Sequence, residues 1–153
     1  MLSIMGADEL LRFAVGGALV LGALVFLIGG FLTAVSGRWR DGERLVELNQ
    51  FGPWIRGRAE RPGGYETYAG IASFGTVWLS RRDFGLEHLE KIGFAPITAP
   101  VVDGTVTARL KFRAQPTQLA GEFVGLRFEF SESPVEIVSQ ARLPPTDRIW
   151  TRV

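Results

Sequence analysis

Apolar residues follow two patterns along the chain. Residues 13–35 read FAVGGALVLGALVFLIGGFLTAV, an unbroken run without one charged side chain. Beyond them, apolar residues recur at every second position in short runs. As an α-helix the first segment is about 35 Å long, against a hydrocarbon core of roughly 30 Å. Leu, Ile, Val or Phe fill thirteen of its positions. At the bilayer centre they contribute roughly −5 kcal/mol to insertion. A helix apolar on every face needs lipid or an enclosing protein core, and the rest of a 153-residue chain is too short to enclose it. The expectation is one transmembrane helix over 13–35, preceded by a flank over 1–12. A cleaved signal peptide competes, since Ala34-Val35-Ser36 resembles a cleavage site. The apolar run is too long for one, and the flank holds Asp8 and Glu9 with only Arg12.

Small residues recur along this segment. Gly16, Ala23 and Gly30 are seven apart and share one helix face, with Gly22, Gly29 and Ser36 on a neighbouring stripe. Such stripes let a second helix approach closely in lipid, so the expected partners are other transmembrane subunits and membrane lipid. Arg38, Arg40 and Arg44 follow the segment, whereas Arg12 alone precedes it. The positive-inside rule then places the N-terminus outside and the following domain in the cytoplasm, on the cell (inner) membrane. Asp8 and Glu9 suit the positive end of a helix dipole. Trp39, between Arg38 and Arg40, is expected in the headgroup layer as a membrane-interface residue.

Residues 36–48 read as a charged juxtamembrane connector, and 49–153 as a small β-rich extramembrane domain. Val106, Ala108, Leu110 and Phe112 alternate with polar neighbours, as do Val124, Leu126, Phe128 and Phe130. Val135 to Leu143 repeats the pattern more weakly, and 53–59, 66–73 and 76–82 are less regular. About six strands joined by Gly, Pro and Asp turns predict a mainly antiparallel sandwich or partly open barrel. One short helix is expected among them, with Leu86, Leu89 and Ile92 on its buried face, Asp83 as its cap and Gly93 at its end. Trp150 in the polar tail is expected to dock on this domain or on a partner.

Little chemistry is written in the sequence. There is no cysteine and the net charge is +1, which removes thiolate chemistry and Cys-built metal sites and disfavours nucleic acid as a partner. No phosphate loop, dinucleotide fingerprint or hydrolase motif is present. His88, the one histidine, lies beside Glu87 and Glu90 and reads as a surface or capping residue before a ligand or base. Arg56, Arg58, Arg61 and Arg81-Arg82, with Trp54 and Tyr65, form a basic and aromatic run blunted by Glu60, Glu66 and Asp83. It reads as a solvated strand face or an anionic-lipid patch. No catalytic residue, metal or cofactor is assigned. The expected function is a non-catalytic accessory or structural subunit of a larger membrane complex. The alternative is a tethered β domain that holds a lipid or other small apolar ligand among Phe112, Phe128 and Phe130.

Overall fold

A computed structural model describes residues 7–153; residues 1–6 of the expected flank lie outside the described residues. The helix α1 (Ala7–Phe31) leads into β1 (Gly37–Asp41), β2 (Arg44–Phe51), β3 (Trp54–Arg61), β4 (Gly64–Ser73) and β5 (Thr76–Phe84). Two short helices follow, α2 (Leu86–Lys91) and α3 (Ala99–Val102), then β6 (Val106–Ala114), β7 (Gln118–Phe130), β8 (Ile137–Arg142) and β9 (Thr146–Arg152). Eight of the strands form a closed antiparallel barrel in the order β6-β5-β4-β3-β2-β1-β9-β7, with β7 paired back onto β6. Closure removes the open edges that a sandwich would leave. β8 stands outside the ring, paired with the far half of the long β7.

Three expectations change. Residues 36–48 are not a connector but β1 and the first part of β2. The polar tail is a strand: β9 closes the barrel between β1 and β7, and its Trp150 docks in this domain's core as expected. A second short helix, α3, accompanies the expected one. These strands escape notice because each offers the interior few residues: Trp39 from β1, Val46 and Leu48 from β2, Trp150 from β9. Charged residues such as Arg38, Arg40, Arg44, Glu47 and Asp147 break up these runs, so none shows a clean apolar alternation.

The barrel is filled by side chains, as an eight-stranded ring requires. Trp39, Trp150, Phe112, Tyr68, Ile55 and Leu119 make up much of the core. Trp150 packs against Phe112 at 4.9 Å and edge-on to Tyr68 at 5.4 Å. A second cluster, Leu89, Ala99, Val102 and Phe128, lies where α2 and α3 meet the β7–β8 hairpin, with Phe130 packed against it. Strand β7 serves both clusters. Its odd positions Leu119 and Phe123 face the barrel core, and its even positions Leu126, Phe128 and Phe130 face the second cluster. Phe112, Phe128 and Phe130 therefore do not line one cavity.

Helix α1 is long and apolar enough from Leu11 to Phe31 to cross a membrane. Its side chains from Leu11 to Val25 are exposed. It starts earlier than the apolar run and ends at Phe31, before the expected boundary, because the barrel takes over its last carbonyls. Helix C-termini leave such groups without intrahelical partners. Here Phe74 N–H donates to Gly29 O at 3.1 Å, and Gln50 Nε2 donates to Gly30 O at 2.8 Å. Thr33 Oγ1 donates to Gly29 O at 2.9 Å and accepts from Gly75 N–H at 2.8 Å.

Candidate functional site

The two ends of the barrel differ in chemistry. The end away from α1 holds a buried ionic network built by strand alternation. In β5 the inward positions run Val77, Leu79, Arg81 and Asp83; in β4 they include Glu66 and Tyr68. Arg61 at the end of β3 clamps Glu66, with Nε to Oε1 at 2.9 Å and Nη2 to Oε2 at 2.5 Å. Tyr68 Oη donates to Glu66 Oε2 at 2.6 Å. Arg81 Nε donates to Asp83 Oδ2 at 3.1 Å, and its Nη1 lies 3.8 Å from Glu66 Oε1. Thr107 Oγ1 also donates to Asp83 Oδ2. From α2, His88 Nε2 meets Asp83 Oδ1 at 2.8 Å.

Two guanidinium groups face two carboxylates in this network. Burial on its own pushes the Glu66 carboxyl upward. The Arg61 bond, the Arg81 charge and the Tyr68 bond more than reverse this, and hold it below its ordinary 4.5. Burial together with the Glu66 charge and hydrogen bond pushes the Tyr68 phenol upward. Glu66, Asp83 and His88 each bring a donor atom within 4.8 Å of the others. A cation does not fit there: both carboxylates are already bonded, and Arg61 and Arg81 place two positive charges in the same shell.

His88, expected as a surface or capping residue, is buried. Its partner is Asp83, whereas Glu87 pairs with Lys91. Asp83 does not cap α2; Gly85 occupies that position, and its N–H donates to Asp103 Oδ1 at 2.8 Å. The buried face of α2 is His88 and Leu89, with Leu86 and Ile92 exposed. The basic and aromatic run is likewise divided. Arg61 and Arg81 turn inward, while Arg56, Arg58 and Arg82 face solvent.

The end beside α1 is apolar and exposed. The strand register aligns an outward row across β2 to β6: Phe51, Trp54, Ile71, Trp78 and Lys111. Phe51 is 80% exposed, Trp54 and Phe74 55%, and Trp78 40%. The next row reads Asn49, Arg56, Ala69, Ser80 and Arg109. Aromatic groups thus lie toward the helix, with basic groups along the row's end and behind it. Contiguous exposed apolar surface of this kind is uncommon on a face that meets only water.

The residues singled out in the sequence fall on both sides of this junction. Gly29 and Gly30 are packed against the chain's own barrel. A Cβ at Gly29 would lie 2.5 Å from Ser73 Oγ, and one at Gly30 2.5 Å from Pro53 Cα. Gly16 and Gly22 have open space around them, and Ala23 is exposed. Arg38 and Arg40 are exposed, but Trp39 between them is sealed in the core and is not an interfacial residue. Its Nε1 donates to Val35 O at 2.8 Å. Compared with known protein families, with characterised proteins and with solved structures, the chain matches none. The functional reading therefore rests on the two ends of the barrel and on the helix.

Proposed function

We propose that the chain is a single-pass membrane subunit without catalytic activity, which joins a larger membrane complex through α1 and presents its barrel beside the bilayer. The observation that carries this reading is the division of the small-residue stripes. Gly29 and Gly30 are taken up by the barrel and Gly22 borders it, which leaves Gly16 and Ala23 bare on an exposed apolar helix. In lipid, a bare small-residue face is where a second helix packs. The buried ionic network supports a structural role, because its donors and acceptors bond one another. Basic groups around the aromatic belt support a cytoplasmic location, where the leaflet is anionic.

Leucine at Gly16 and Ala23 tests the helix contact. The double variant should still fold and reach the membrane but lose its co-purifying subunits from detergent extracts. Undiminished co-purification would remove the reading. Gly30 is unsuitable for that test, since its substitution disturbs the barrel directly. Labelling of Ser131→Cys from one side of sealed vesicles assigns the side of the membrane.

A further inference from the structure

The aromatic belt and the lower part of α1 enclose a groove of ≈720 Å³. Gly22, Val25 and Phe26 form one wall, Ile71, Phe74 and Trp78 the other, and Arg113 stands at its margin. Its surface is overwhelmingly apolar. Arg113 forms no ion pair among the described residues, and its guanidinium donates to Thr76 Oγ1 at 3.5 Å. The groove is continuous with the exposed side of the helix. Wherever residues 22–26 lie in hydrocarbon, Ile71 and Trp78 face the same medium. The helix end is joined to the turn between β4 and β5 by hydrogen bonds, so the belt keeps a set height relative to the helix.

We propose that the helix-side end of the barrel is seated in the headgroup layer, and that the groove holds an anionic phospholipid, its acyl chain against Val25 and Phe26 and its phosphate on Arg113, beside Trp78. This rests on α1 crossing the bilayer. Amphipathic indole rings favour the boundary between headgroups and hydrocarbon, and Arg56, Lys111 and Arg113 then meet phosphate oxygens. An apolar wall with one unpaired guanidinium matches a lipid, which is apolar along its length and anionic at one end. A partner helix would bury the wall but leave the Arg113 charge without a counter-ion.

The full chain in nanodiscs of phosphatidylglycerol, brominated at the acyl carbons nearest the headgroup, provides the test. Trp39 and Trp150 are enclosed in the core, so bromine in the lipid reaches only Trp54 and Trp78. Strong fluorescence quenching is expected, most of it lost in the double variant Trp54→Phe, Trp78→Phe. R113Q should lower the retention of phosphatidylglycerol relative to phosphatidylcholine, read by native mass spectrometry, by about fivefold. Quenching unchanged in the double variant, or retention indifferent to R113Q, overturns the proposal. Quenching that fades as protein density rises assigns the belt to contact between copies and also overturns it. Alkaline carbonate extraction of vesicles that hold the full chain in the same lipid separates the two premises. Release of the chain overturns the crossing itself, whereas a retained chain without quenching overturns only the seated belt.

Discussion

Trp39 and Trp150 are the two largest fully buried side chains, and their indole groups are bonded differently. Trp39 Nε1 donates to Val35 O in the segment between α1 and β1. Trp150 Nε1 finds no hydrogen-bond partner among the described residues. Phenylalanine at either position removes comparable volume. At Trp39 it also leaves a buried carbonyl without its donor, which costs about 1–3 kcal/mol beyond the packing loss. Trp39→Phe should therefore destabilise by about 3–4 kcal/mol and Trp150→Phe by about 1–2. Denaturation in detergent, followed by near-ultraviolet circular dichroism, measures both; equal losses would mean that the Trp39 bond contributes nothing. Trp39 also shows where residue-level reading fails. An aromatic flanked by arginines suits a headgroup layer, but it equally suits an inward position between two outward ones, and one residue cannot separate the two.

At the scale of the element, the ionic network goes unread in the sequence: Arg81, Glu66 and Asp83 read there as a solvated face or a helix cap, although the strand phase carries a signal. Val77 and Leu79 are followed in the same phase by Arg81 and Asp83, and an inward phase that turns charged signals a buried ion pair. The sequence could not reveal that Arg61, Glu66 and His88 converge on the same place, because that follows from barrel closure and from α2 folding over the end. Alternation did predict β6 well, whereas β1, β2 and β9 carried too few inward residues to declare themselves. The network has a pH signature. The Glu66 carboxyl is held below its ordinary 4.5 in the folded chain. The stability it contributes is present above that value and is lost as pH falls through the folded one. Melting temperature should be level near neutrality and should drop once pH falls below about 4.5. Glu66→Gln leaves Arg61 without its counter-charge and should cost about 3 kcal/mol at pH 7, while the acid slope becomes shallower. An unchanged slope in that variant would show that other carboxylates set the acid limb.

For the whole molecule, the decisive feature is the seam between helix and barrel, which the sequence could not show because it joins residues distant along the chain. Gln50 is central to it. Its Oε1 accepts from Val35 N–H at 2.9 Å, and its Nε2 donates to Gly30 O at 2.8 Å and Gly52 O at 2.6 Å. One side chain thus ties the helix end, the link into β1 and the turn between β2 and β3. With α1 in lipid, as proposed, bonds that satisfy its last carbonyls are costly to lose, since no water replaces them. The seam converts helix tilt into barrel orientation, so a belt can meet headgroups at a set depth only while it holds. The absence of native cysteine allows spin labels at Val20→Cys and Glu132→Cys without background. The distance distribution between them in nanodiscs should be narrow in the parent chain. It should broaden in Gln50→Ala, which removes the three bonds, and in Gly30→Val, whose Cβ collides with Pro53. Gly16→Val, far from the seam, should leave it unchanged. A broad distribution in the parent chain would mean that the barrel swings freely beneath its helix, and the depth of the belt would then have to be set by the lipid alone.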